Sequence, residues 1–141
     1  AEALGQALSS LAPGPVLVLG SGGVARTTLA VLEAAGRRAL QAHRRAPAAP
    51  GAVAALAPVG VIQATSLGMA PRDPAPFPEL LEAARPGLRW AVEWIYKEDT
   101  IFADWAREAG LVLVEGATLF EAQAEAQSRR FIEGCGGGDP R

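Results

Sequence analysis

The stretch that most constrains the fold is Val16-Leu17-Val18-Leu19 followed at once by Gly20-Ser21-Gly22-Gly23-Val24-Ala25. A continuous aliphatic run of four is the pattern of a strand buried on both faces, which requires a parallel sheet covered by helices on each side. The glycines end that strand and open a helix expected from Gly23 to about Ala35, with Leu29, Ala30 and Leu32 facing in and Gly36 as its C-cap. Upstream, Leu4, Ala7, Leu8 and Leu11 fall at helical spacing, and Ala12-Pro13-Gly14-Pro15 stops that helix.

Further strands are expected at Arg38 to His43, Val59 to Ile62, Leu88 to Tyr96 and Leu111 to Val114. Helices are expected near Glu79 to Ala84, from Thr100 to Ala109 and from Leu119 to Ile132, with the proline-rich Met69 to Pro78 as a loop. The alternation predicts an α/β doubly wound, mainly parallel sheet of about five to six strands with right-handed crossovers, a Rossmann fold. About fifteen residues separate His43 from Val59. A helix, a strand and a return loop would need roughly thirty, so at most one short helix fits and a third strand is short or missing. The expected organisation is a lead-in helix and linker over 1–14, the Rossmann domain over 15–134 and a disordered tail over 135–141.

Composition narrows the classes. The 141 residues carry a formal net charge of −2, with 13 Lys plus Arg of which Lys97 is the one lysine. That balance argues against a nucleic-acid surface, which needs a positive excess on one face. The 30 Ala and the 6% aromatic content predict a core of small aliphatic residues. Cys135 has no partner, so neither a disulfide framework nor a cysteine metal site is expected. No apolar run reaches the roughly 18 residues of a membrane span, and the N-terminus lacks a signal-peptide pattern. The expectation is a cytoplasmic protein with no membrane contact and no metal.

A dinucleotide pyrophosphate needs a tight turn, a residue without a side chain where backbone meets phosphate, and a small residue where helix and strand close up. Gly20, Gly22 and Ala25 fill those roles, and Ser21, Gly23 and Val24 complete the turn whose amides face the anion. Glycines also terminate ordinary strands, so the string alone is weak; its position between strand and helix strengthens it. NAD-binding domains carry an acid about 20 residues on, for the ribose 2′-hydroxyl. Here the stretch reads Gln41-Ala42-His43-Arg44-Arg45, with no acid. Two guanidinium groups at a strand end can hold a 2′-phosphate, which favours NADP; the alternative is a pair of solvated loop charges. His43 reads as a strand-end residue near the adenosine.

These motifs together resemble the C-terminal NADP-binding domain of the shikimate and quinate dehydrogenases, over roughly Pro15 to Phe131. The glycine turn through Arg26 is similar to the family's G-x-G-G-A-x-R, and His43-Arg44-Arg45 stands at its Asn-Arg-Thr. Gln63-Ala64-Thr65-Ser66-Leu67-Gly68-Met69 resembles Asn-Ala-Thr-x-x-Gly-Met. Glu93-Trp94-Ile95-Tyr96 with Thr100 follows Asp-x-x-Tyr-x-Pro-x-x-Thr, and Gly116 and Gln123 keep the step of the closing helix. The resemblance implies cofactor contacts from Thr65, Ser66, Leu67, Met69, Trp94 and Gly116, and substrate contacts from Tyr96 and Gln123. Strand packing is the alternative for Trp94 and Tyr96, and a solvent-facing helix position for Gln123.

Gln63, Glu93 and Lys97 depart from the family's Asn, Asp and Pro. The resemblance further implies that a separate N-terminal domain supplies the catalytic lysine and aspartate. No catalytic residue is then expected in these 141 residues, which resemble half an enzyme, inactive alone, for NADPH-dependent reduction of 3-dehydroshikimate to shikimate. The competing readings are a non-catalytic dinucleotide-binding or interaction module, and the cofactor half of another two-domain dehydrogenase, such as a quinate/shikimate paralogue or a glutamyl-tRNA reductase-like or methylene-tetrahydrofolate dehydrogenase-like protein.

Overall fold

The structure, a computed structural model, describes residues 2–43, 48–65, 77–94 and 100–115. Among the described residues five strands, β1 (Val16–Leu19), β2 (Ala39–Ala42), β3 (Gly60–Gln63), β4 (Trp90–Glu93) and β5 (Val112–Val114), form one sheet in the order β2-β1-β3-β4-β5. Every pairing is parallel. The helices are α1 (Glu2–Ser9), α2 (Gly23–Ala34), α3 (Pro50–Leu56), α4 (Pro78–Ala84) and α5 (Ile101–Glu108), with a 3-10 turn at Arg85–Gly87. This is the expected Rossmann-like α/β architecture. Among the described residues no strand intervenes between β2 and β3, and the short α3 makes the crossover, as the spacing predicted.

Strand pleating sorts the core into two layers. Leu17 and Leu19 of β1 pack with Val53 of α3, Leu81 of α4 and Phe102 of α5, while Val16 and Val18 pack with Leu4 and Leu8 of α1 and Ala25 and Leu32 of α2. The aliphatic run is fully buried because helices cover both sheet faces.

The α2 helix ends as expected. Gly36 has φ +72°, its N–H donates to the Glu33 carbonyl at 3.0 Å, and Arg37 N–H reaches the Leu32 carbonyl at 2.9 Å, which is a Schellman closure. The expected inward face is corrected in part. Ala25, Thr28 and Leu32 are buried, Leu29 is half-buried and Ala30 is exposed. Steps of three and four residues from Ala25 turn Ala30 to the opposite side of the helix. The strand expected from Leu88 begins at Trp90, because Leu88 still closes the 3-10 turn by donating to the Arg85 carbonyl. The expected helix from Leu119 to Ile132 lies outside the described residues.

One large side chain organises the face under α1. Trp90 is 1% exposed and is the register partner of Gly60, where a Cβ would overlap the indole ring. The indole Nε1 donates to the Ala12 carbonyl at 2.9 Å, and the Arg37 guanidinium lies 5.6 Å from the ring centroid. Arg37 also donates to the carbonyls of Leu8, Leu11 and Ala12, at and just beyond the end of α1.

Candidate functional site

The strand register brings the residues that follow β1 to β4 to one edge of the sheet. Gly20 N–H donates to the Ala42 carbonyl at 2.9 Å, Ala64 N–H to Leu19 at 2.8 Å and Trp94 N–H to Gln63 at 3.0 Å, so Gly20, His43, Ala64 and Trp94 continue the ladders side by side. From β1 the chain crosses to β2 on one side, while β3 lies on the other. The carboxyl ends of β1 and β3 therefore flank the switch point at which open α/β sheets take ligands.

The glycine turn fits an anion there. Gly20 has φ +130°, and a Cβ on it would stand 2.6 Å from the Ala64 carbonyl oxygen, so only glycine lets β1 and β3 approach at this point. Its carbonyl accepts from Gln41 Nε2 at 2.8 Å, which ties the turn to β2. By contrast, Cβ atoms at Gly22 and Gly23 would meet nothing within 4 Å. Gly22 is the N-cap of α2, no side chain caps it, and no acidic residue lies in the first turn. Among the described residues no side-chain cap bonds the start of this 12-residue helix, so its first amides and the positive end of its dipole are open to an anion. Ser21 and Val24 are exposed, and Ala25 is buried against the sheet.

Three side-chain pairs brace this edge. Gln63 is fully buried, and its Oε1 accepts from Thr65 N–H at 3.1 Å and Thr65 Oγ1 at 2.8 Å. The longer Gln63 side chain thus makes a local turn bond at the position where the resembled motif has asparagine. Trp94 Nε1 donates to Thr28 Oγ1 at 3.2 Å, and Thr28 Oγ1 donates to the Val24 carbonyl at 2.7 Å. Glu93 is 1% exposed; its Oε2 accepts from Thr100 Oγ1 at 2.6 Å, and Thr100 Oγ1 in turn accepts from Ala103 N–H at 3.0 Å as the N-cap of α5. Burial pushes the Glu93 carboxyl above its ordinary range, and the Thr100 hydrogen bond opposes that shift.

Of the residues singled out in the sequence, Gly20, Ser21, Gly22, Gly23, Val24, Ala25, His43, Thr65 and Trp94 gather at this edge. His43 and Thr65 are half-buried and engaged in polar contacts. Trp94 is half-buried and packs against the Val16 and Val18 layer, so strand packing accounts for part of it. Arg44, Arg45, Ser66, Leu67, Met69, Tyr96, Gly116 and Gln123 lie outside the described residues, as does Lys97. Sequence reasoning missed Gln41 and Thr28. Thr28 stands three residues after Ala25 and four before Leu32, so its inward position on α2 was readable from the helical repeat. A separate open groove of about 890 Å³ lies at the opposite sheet edge, lined by residues including Leu8, Leu11, Val31, Arg37 and Arg38.

No protein-family model and no curated protein sequence matches the chain. Its fold is similar to solved shikimate dehydrogenases. That from Thermotoga maritima superposes with a TM-score of 0.70 at 21% identity, covering 92% of this chain and 56% of its own. Shikimate dehydrogenase 1 from Peptoclostridium difficile gives 0.62 at 14% identity, over 90% of this chain and 52% of its own. Shikimate 5-dehydrogenase from Listeria monocytogenes, solved in complex with shikimate and NAD, gives 0.56 at 17% identity over 84% and 51%. The chain thus spans about half the length of the structures it matches.

Proposed function

We propose that this chain is the dinucleotide-binding half of a shikimate dehydrogenase-like oxidoreductase and that it takes NADP at the carboxyl edge of its sheet. The observation that carries the reading is the uncapped start of α2 behind the Gly20 turn, at the switch point of a fold shared with half of the shikimate dehydrogenase chains. The amides of Gly22, Gly23 and Val24 would meet the pyrophosphate. His43, Arg44 and Arg45 would receive the adenosine and its 2′-phosphate, the arginines supplying charge-assisted forks. Thr65, Ser66, Leu67, Met69, Trp94 and Gly116 would pass along the nicotinamide half, and Tyr96 and Gln123 would reach the substrate.

When bound, the cofactor supplies the hydride, and this chain's own task is to hold and orient it. The general acid/base and most substrate contacts belong to a further domain, in the same or a separate chain, so turnover of 3-dehydroshikimate is not expected from these residues alone. The NAD in the Listeria monocytogenes structure makes the choice of dinucleotide a direct test. Calorimetric titration with NADP, NAD and shikimate separately is expected to give micromolar binding for NADP, weaker binding for NAD and no heat for shikimate. Arg44→Ala is expected to erase the preference for NADP. An unchanged NADP to NAD ratio in that variant refutes the cofactor assignment, and silence from both dinucleotides favours an interaction module that keeps only the fold.

A further inference from the structure

We infer that Thr28 is a positioning residue for the nicotinamide half of the dinucleotide, acting through the Trp94 indole; the inference rests on the function proposed above. Thr28 is a fully buried hydroxyl on the inward face of α2. Its proton is committed to the Val24 carbonyl at 2.7 Å, which leaves its oxygen as the acceptor for Trp94 Nε1 at 3.2 Å. A hydroxyl carries one donor and two acceptor sites, so both bonds are satisfied at once and in one sense only. At its other end Trp94 is held by its backbone N–H on the Gln63 carbonyl at 3.0 Å. Backbone and indole are therefore both fixed, one by β3 and the other by α2.

The geometry has a mechanical meaning. Val24, whose carbonyl orients Thr28, belongs to the same first turn of α2 whose amides are assigned to the pyrophosphate. Thr28 follows one turn later and holds the indole that stands beyond β4. The amides assigned to the pyrophosphate and the hydroxyl that holds the ring at the far side of the switch point thus belong to one helix. Thr28 needs no contact with the ligand to set the distance between them. Valine has the shape of threonine but neither the donor nor the acceptor of its hydroxyl, so a change to valine removes the two hydrogen bonds and little volume. The hydroxyl is what aims the ring.

The test compares the whole dinucleotide with its adenosine half. Thr28→Val keeps the volume and removes both hydrogen bonds, leaving the Trp94 N–H without its partner. NADP affinity, read by calorimetry, is expected to fall about five- to tenfold, within the upper part of the about two- to twelvefold that one net hydrogen bond corresponds to. Affinity for adenosine 2′,5′-bisphosphate, which lacks the nicotinamide half, is expected to stay within twofold. Thr28→Ser is expected to restore NADP binding, and in a Trp94→Phe background Thr28→Val is expected to change nothing further. An equal loss for both ligands assigns Thr28 a general structural role and overturns the inference, as does an unchanged NADP affinity. If the parent chain binds adenosine 2′,5′-bisphosphate and NADP, those two outcomes refute only the role of Thr28. If the parent binds neither, the proposed function falls and this inference with it.

Discussion

Gly60→Ala tests whether the α1 face of the sheet is built as described. Gly60 is opposed in register by Trp90, and the indole occupies the volume where a Cβ would stand. The ring cannot move aside freely: it is 1% exposed, bonded to the Ala12 carbonyl at 2.9 Å and covered by Arg37. Forcing one methyl group into such a site costs about 1–3 kcal/mol. Displacing the ring also weakens a hydrogen bond worth about 1 kcal/mol and a cation–π contact worth about 0.5–1 kcal/mol. Alanine returns about 0.5–1 kcal/mol through the lower backbone entropy of the unfolded chain. The expected net loss is about 3 kcal/mol, a large part of the roughly 5–15 kcal/mol that holds a domain together. At about 3 °C per kcal/mol for a chain of this size, the Tm should fall by about 10 °C.

Thermal melts followed by circular dichroism, together with denaturant midpoints, read this directly. Gly5→Ala is the control: it lies inside α1, a Cβ there meets nothing within 4 Å, and it should gain about 0.5–1 kcal/mol. Trp90→Leu added to Gly60→Ala should cost less than the sum of the two single changes, because the leucine vacates the contested volume. A Gly60→Ala protein that melts within 2 °C of the parent refutes the packing argument.

Three further outcomes follow from the same structure. Gly20→Ala puts a methyl 2.6 Å from the Ala64 carbonyl at a φ of +130°, so it should lose about 2–3 kcal/mol in denaturant titration and lose nucleotide binding with it. Arg37→Lys cannot reach three carbonyls with a planar fork and should lower the melting temperature by several degrees. Glu93→Gln should make the protein more stable at pH 7. Burial raises the folded-state pKa of Glu93, so its stabilising contribution is complete below the ordinary value of 4.5 and is lost as pH rises through the folded value. The advantage of the glutamine variant should therefore shrink as pH falls toward 4.5, and a constant advantage would contradict the burial argument.

Much of this was legible in the sequence because it is local. Val16 to Leu19 declares a doubly covered strand, Gly36 marks the end of α2, and the spacing between His43 and Val59 leaves room for one short helix. The Gly20 turn was legible too, although the close approach to Ala64 that requires its glycine depends on β3, about forty residues on. What stayed hidden depends on pairs distant in the chain. Nothing near Gly60 announces that an indole thirty residues later needs its empty space. Gln63 and Glu93 read as departures from a motif, yet their side chains are buried and bonded to Thr65 and Thr100, each a few residues downstream. The outward position of Ala30 is not legible in the sequence, because alanine is acceptable on either face of a helix and in an alanine-rich chain carries little directional information.

The three carbonyl bonds from Arg37 bear on the order in which the molecule assembles. With eight residues, α1 is below the length of about 12–15 at which an isolated helix becomes even marginal in water. It is held as a helix by the burial of Leu4 and Leu8, by Arg37 on the Leu8 carbonyl, and by the bonds from Arg37 and Trp90 that fix the Ala12 carbonyl just beyond its end. Those two residues arrive from beyond α2 and from β4, and the bond from Trp90 spans 78 positions of sequence. The first helix in the chain is thus among the last to become worth forming. Hydrogen exchange in its amides reports whether β1, β3 and β4 have already come together.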